Sequence, residues 1–266
     1  GGFYYDAVRM EGKRIPLKVR SMVGLIPMFA VSAIDEHTLA SLPGFRKRLD
    51  WFMLNKPEMS MHLIHSHDDK QKILLSLIDK TNLHRVLKYV FDESEFLSPY
   101  GIRSLSKFHK DHPLIFNVGE EEYRVDYAPG NSETTMFGGN SNWRGPIWFP
   151  LNYLLVESLL RYYEFYGDSF TIEYPTGSGQ IHNLEEIAGD ICSRLSRLFL
   201  HDSKTGRRPF WGEQDMRGNA HWDQHILFHE FFHGDTGEGL GASHQTGWTA
   251  LVTWCLEKAR SLGAEP

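Results

Sequence analysis

The sequence predicts an all-α chain with one small β-hairpin inserted into it. Three observations lead there. Apolar residues recur at helical spacing over several long stretches, residues that start and stop helices punctuate them, and one short stretch alternates instead. The 266 residues, 41% hydrophobic and 23% charged, suit a single domain over residues 1–266 with a sizeable core.

The elements follow in order. Arg20 to Ile34 is apolar and reads as a buried helix with Pro27 near its first turns. Leu42 to Leu54 carries apolar residues at helical intervals with basic residues between them, a surface-facing helix. After a polar break at Ser66 to Asp69, Lys70 to Phe91 repeats Leu, Ile and Val at helical spacing. Leu114 to Tyr127 alternates around Gly119, the expected hairpin. Pro129 to Asn142 is a long polar loop, and Ile147 to Tyr166 is a helix closed by Gly167. Ser169 to Tyr174 reads as a strand. Asn183 and Glu186 form a capping box that opens a helix through Leu200. Gly234 to Gly241 is glycine-rich, and Thr246 to Leu262 is a closing amphipathic helix.

Composition narrows the function. A net charge of -6 argues against nucleic acid, whose phosphates require clustered Lys and Arg. Seven Trp, eleven Tyr and seventeen Phe are in excess. Large aromatics fill cores, and they also give flat surfaces for the apolar faces of sugars. Cys192 and Cys255, far apart in the chain, read as buried free thiols. With no visible leader and no apolar run long enough to span a bilayer, the expectation is a cytoplasmic chain without a membrane partner. The abrupt start Gly1-Gly2-Phe3-Tyr4-Tyr5-Asp6 points to a fragment or a processed chain.

Two constellations carry chemistry. Phe137 to Asn152 holds Asn142, Trp143, Arg144, Gly145, Trp148 and Asn152. Planar donors and stacking surfaces beside a small residue that admits a close approach are what a sugar requires. A helix N-terminus explains the Asn residues and Pro146, but not two Trp and an Arg within six positions. Phe228 to Gly241, with His244 to Trp248 after it, sets Glu230 among aromatics beside His229 and Trp248. An apolar setting tunes a carboxylate for proton transfer. His229-Glu230-Phe231-Phe232-His233 also matches H-E-x-x-H, which on a helix would hold zinc between the two His. Gly234 interrupts such a helix, and Gly239 stands where an extended zinc motif has His. The sequence is therefore read without a metal or cofactor. The segment Phe96 to Ser106 and Arg20-Ser21-Met22-Val23-Gly24 are weaker signals.

Taken in order, Tyr4-Tyr5-Asp6, Arg20 to Gly24, Tyr100-Gly101-Ile102-Arg103-Ser104-Leu105-Ser106, Trp143-Arg144-Gly145-Pro146-Ile147-Trp148, Glu230 and Gly247-Trp248-Thr249 resemble the C-terminal part of glycoside hydrolase family 63, which includes processing α-glucosidases. The resemblance implies an (α/α)6 toroid or part of one, and an inverting hydrolase of α-linked sugars. It implies Glu230 as general base, with Trp143, Arg144, Gly145, Trp148, Asn142, Asn152, His229 and Trp248 gripping an oligosaccharide. The family's Glu-Asn-Tyr reads Glu230-Phe231-Phe232 here. Its general acid is an Asp in a segment before this chain begins. Asp6 and Asp126 are substitutes without a motif, so contact with a further N-terminal portion is expected. The alternatives are a saccharide-binding remnant without turnover and a zinc peptidase through His229, Glu230 and His233.

Overall fold

The computed structural model describes residues 2–10, 12–67, 70–132, 145–212 and 225–264. The chain opens on a hairpin of β1 (Asp6–Met10) and β2 (Lys13–Leu17). A 3-10 turn at Met22–Leu25 and the short α1 (Ile26–Phe29) lead into β3 (Val31–Asp35). Three helices follow, α2 (Glu36–Ser41), α3 (Pro43–Asn55) and α4 (Pro57–Leu63), then β4 (Ile64–His67), β5 (Lys70–Ser76) and α5 (Lys80–Val90). The two-residue strands β6 (Leu97–Ser98) and β7 (Gly101–Ile102) and the hairpin of β8 (Leu114–Val118) and β9 (Glu121–Val125) come next. The remainder runs α6 (Phe149–Tyr166), β10 (Thr171–Glu173), β11 (Ile181–Asn183), α7 (Leu184–Arg197), β12 (Phe231–Phe232), β13 (Gly239–Leu240), α8 (Thr246–Thr249) and α9 (Val252–Ser261).

The expectation of an all-α fold arranged as an (α/α)6 toroid is overturned. Among the described residues the strands form six sheets, one of three strands in the order β3-β5-β4 and five of two. The largest errors are at two stretches read as single helices. Arg20 to Ile34 becomes a 3-10 turn, one turn of α-helix and β3, while Lys70 to Phe91 divides into β5 and α5. Asp79 marks that second boundary by accepting a hydrogen bond from the Asn82 backbone N–H, an N-cap that separates strand from helix. β5 is fixed by antiparallel pairing on both edges, to β3 and to β4. Such long-range pairing overrides local periodicity.

The other elements form close to where the sequence places them. The β8–β9 hairpin pairs Leu114 with Val125 and Val118 with Glu121. The capping box at Asn183 and Glu186 is complete and opens α7. The closing helix is interrupted between α8 and α9.

The core gathers around α6. Its Leu155, Val156, Leu159 and Tyr162 are fully buried; it packs on α7 and on the β3–β5 pair. α7 in turn packs on α9. There Cys192 and Cys255 are buried free thiols in contact, and the hydrogen bond between them, with burial, pushes the Cys192 thiol up. On the far surface α3 has no buried residue, and it carries Trp51 and Leu54 outward at 58% and 81% exposure.

Candidate active site

Single-residue bridges bring four sequence segments side by side. Ser21 pairs with Leu105, Arg103 with Ile147, and Ile147 with Phe232; Phe232 pairs with Gly239 across the β12–β13 hairpin. Ile147 and Phe232 exchange both backbone hydrogen bonds, at 2.8 and 2.9 Å. The stretches around Arg20, Arg103, Gly145 and Glu230 thus form one irregular layer at the N-terminal end of α6.

Two arginines hold this layer from behind. The Arg20 guanidinium lies between the rings of Tyr89 and Phe108, 4.7 and 4.1 Å from their centroids. It pairs with Glu95, which also accepts from the Ser106 hydroxyl. Burial raises the Glu95 carboxyl above its ordinary range against the opposing pull of Ser106 and Arg20. Arg103, only 3% exposed, donates to Asp235 through Nη2 at 2.9 Å and Nε at 3.3 Å. Asp235 also accepts from the Tyr127 hydroxyl at 3.0 Å. Burial opposes ionisation of Asp235, but Arg103, Tyr127 and Lys107 prevail and hold its carboxyl below the usual range. None of Asp235, Tyr127, Glu95 and His109 stood out in the sequence. The available signal was that their partners Arg20 and Arg103 lie inside segments singled out as motifs.

Gly145 shows how tightly the layer is drawn. Its φ is +85°, and a Cβ there would lie 1.9 Å from the Ala128 carbonyl oxygen. The close approach is to the protein's own backbone. The Gly234 N–H likewise donates to the Pro129 carbonyl at 2.7 Å.

Glu230 sits at the open end of the β12–β13 hairpin, half-buried. Its backbone N–H donates to Ala242 at 2.8 Å, and its Oε2 accepts from the Ala242 N–H at 3.3 Å. Gly241, with φ +69°, lies against the carboxylate; a Cβ there would be 2.7 Å from Oε2. Phe231 next to it is buried under Trp148, with ring centroids 4.8 Å apart. Trp248 meets Trp148 edge-on at 6.1 Å.

The residues expected to grip a ligand divide into three groups. His229, next to Glu230 in the chain, and Trp248 are half-buried. The buried His229 Nδ1 and Trp248 Nε1 atoms have no hydrogen-bond partner among the described residues. Burial, with the charge of His244, lowers the His229 imidazole below its ordinary value. Trp148, Asn152 and Gly145 are engaged within the protein. Trp148 is 2% exposed and forms a wall. The Asn152 amide accepts from the Ile102 N–H at 2.8 Å and donates to the Ile102 and Trp148 carbonyls at 3.0 Å each. Asn142, Trp143 and Arg144 lie outside the described residues.

The zinc reading required His229 and His233 on one helical face. The structure instead places Phe231 and Phe232 in β12. His233 Nδ1 accepts from the backbone N–H groups of Asp235 and Thr236 at 3.2 and 3.1 Å. Among the described residues no group of three His, Cys, Asp or Glu side chains could hold a metal ion. Of the substitute acids, Asp6 is exposed at the start of β1, and Asp126 accepts from Arg124 Nε at 2.6 Å.

Comparison with known proteins relates the chain to a family. Residues 71–174 match the glycosyl hydrolase family 63 C-terminal domain, which bears out the resemblance drawn from the motifs. An uncharacterized protein of Saccharomyces cerevisiae, YMR196W, is 47% identical over 255 residues, covering 94% of this chain and 23% of the relative. A probable mannosyl-oligosaccharide glucosidase of Schizosaccharomyces pombe is 30% identical over 176 residues, 65% of this chain and 15% of that protein. A mannosyl-oligosaccharide glucosidase of Saccharomyces cerevisiae is 28% identical over 184 residues, 67% of this chain and 16% of that protein. The chain therefore spans less than a quarter of the length of these relatives.

Proposed function

We propose that this chain forms part of a glycoside hydrolase acting on α-glucosides or related α-linked oligosaccharides, with Glu230 as general base. The observation that carries the reading is the place of Glu230. Its carboxylate stands on Gly241 at the mouth of a hairpin bridged to the Ile147–Trp148 segment. The buried His229 Nδ1 and Trp248 Nε1 atoms have no hydrogen-bond partner among the described residues. Inversion requires a water between two carboxyl groups about 6.5–9.5 Å apart. Glu230 takes the proton of that water, while His229 and Trp248 orient sugar hydroxyls. The general acid comes from a part of the polypeptide outside this chain, and Asn142, Trp143 and Arg144 complete the grip on the sugar.

The test is proton NMR of the longer polypeptide with a panel of α-glucosides, alongside its Glu230→Gln variant. The expected result is β-configured glucose from the parent and loss of at least about a thousandfold in turnover from the variant, the scale of removing an acid–base group. Turnover near the parent's would reject Glu230 as the base. α-Configured product would reject inversion.

A further inference from the structure

We propose that a second cleft, at the far tip of the hairpin that carries Glu230, binds one sugar ring of a neutral oligosaccharide. The choice of a sugar over other polyols rests on the glycosidase reading above. The cleft has a volume of about 400 Å³ and is walled by Pro99, Tyr100, Arg197, His201, Asp202 and Pro209, among others. That volume lies within the range of small-molecule sites.

Its chemistry is balanced. Arg197 projects from the last turn of α7, and the one hydrogen bond described for its guanidinium is Nη2 to the Ser193 hydroxyl at 3.3 Å. Asp202 uses Oδ1 to accept the Lys204 and Thr205 N–H groups at 3.0 and 2.7 Å, an Asx turn that holds the carboxylate in place. Its Oδ2 accepts nothing among the described residues. Tyr100 is half-buried at the wall; burial, with the charge of Asp202, raises its pKa. One cation, one anion, a phenol and the His201 imidazole offer donors and acceptors, and the full charges of Arg197 and Asp202 cancel. An anion would meet the Asp202 carboxylate and a cation would meet Arg197. A ring with vicinal hydroxyls suits both, since adjacent hydroxyls donate to a carboxylate and accept from a guanidinium. Pro99 and Pro209 supply the apolar surface for its C–H face.

The cleft is distinct from the Glu230 site yet mechanically joined to it. Gly237, in the turn between β12 and β13, is packed so closely that a Cβ would lie 2.9 Å from Leu198 and 3.1 Å from both Pro209 and Tyr100. Tyr100 and Pro209 are the cleft's own walls. Glu230 stands at the opposite end of the same hairpin, separated by about 10 Å of strand. A chain of several sugars could then be held at one end while its terminal bond meets Glu230 at the other.

The measurement is side-chain guanidinium NMR of the chain during titration with maltose, the Arg197 signal being identified by its loss in Arg197→Ala. The expected result is a saturable shift of that signal, retained in Glu230→Gln. Its midpoint should weaken about tenfold in Asp202→Asn, which keeps the Asx turn but removes the charge. No shift with maltose would overturn the proposal, as would an unchanged midpoint in Asp202→Asn or an equal shift with sodium sulfate. Failure of Glu230 as a base would leave the Arg197 titration untouched, so the two readings fail separately.

Discussion

Arg103 and Asp235 lie 132 positions apart in the chain and meet through two hydrogen bonds at the back of the candidate site. The guanidinium is 4% exposed at its side chain and the carboxylate 33%. One end of the pair is therefore dry and the other is wetted. Arg103 also donates to the Leu97 carbonyl, so it ties β6 to the turn that follows β12.

Replacing Arg103 by Lys keeps the charge and loses the fork. The expected cost is about 2–3 kcal/mol in urea unfolding, because a buried acceptor is left without its donor. Asp235→Asn is expected to cost less, since its carboxylate is partly solvated. It also carries a pH signature. A carboxyl held below its ordinary value contributes stability that is present above the unfolded value of about 3.9 and lost as pH falls through the folded value. The parent should therefore lose stability below pH ~4 more steeply than Asp235→Asn.

His109 gives the opposite kind of titration. Its Nε2 accepts from the Arg20 backbone N–H at 2.9 Å, and its Nδ1 lies 2.9 Å from the His112 carbonyl. Those partners fix the neutral tautomer with the proton on Nδ1. Burial lowers its pKa, against the pull of the His112 carbonyl and with help from the Arg20 charge. The unfolded chain thus takes up the proton first as pH falls through about 6.5, and stability declines from there towards the folded value. Nitrogen-15 NMR should find this ring taking up its proton at a lower pH than an exposed histidine. His109→Gln should flatten the decline in stability between pH 7 and 5.

Gly241→Ala would press a methyl onto Glu230. The Cβ would stand 2.7 Å from Oε2 and 2.9 Å from the Glu230 Cβ, on a backbone with φ +69°. The expected loss of stability is about 1–3 kcal/mol from the backbone alone. Turnover of the longer polypeptide should fall further than stability does, because the carboxylate must move. Equal turnover by the folded variant would show that its position does not matter.

Asn152 separates a structural use from a ligand use. Its amide makes three hydrogen bonds inside the protein and is 0% exposed. Asn152→Ala should cost about 2–3 kcal/mol by removing the side-chain partner of the buried Ile102 N–H and carbonyl, while the Trp148 carbonyl keeps the residue-152 backbone N–H. Saccharide affinity of the folded fraction, measured by calorimetry, should stay within about twofold of the parent, less than the loss of one ligand hydrogen bond.

The sequence made the long helices legible because their signals are local. The Asn183–Glu186 capping box and the apolar run ending at Gly167 each lie within one turn of the element they bound. The hairpin at Leu114 to Tyr127 was equally local. β3 and β5 were misread because their identity lies in partners 37 to 45 positions away, as with Asp35 and Lys72 or Val31 and Ser76. In the site, Glu230 stood out through its aromatic neighbours. Asn152 and Trp148 were read as ligand groups because a donor and a stacking ring look the same in sequence whether they face a sugar or a backbone. Asp235 and Tyr127 carried no local mark, since what distinguishes them is Arg103.

The single-residue bridges have a kinetic consequence. Ser21 meets Leu105 across 84 positions and Ile147 meets Phe232 across 85, while the Ile147–Phe232 joint adds only two backbone hydrogen bonds. The entropy of closing such loops is lost before the contacts return anything, and chains dominated by distant contacts cross their folding barrier slowly. The β8–β9 hairpin and α7 can form early from local contacts. The pocket around Glu230 should be among the last parts to assemble, and a newly made chain would be folded over much of its length before it could hold a ligand.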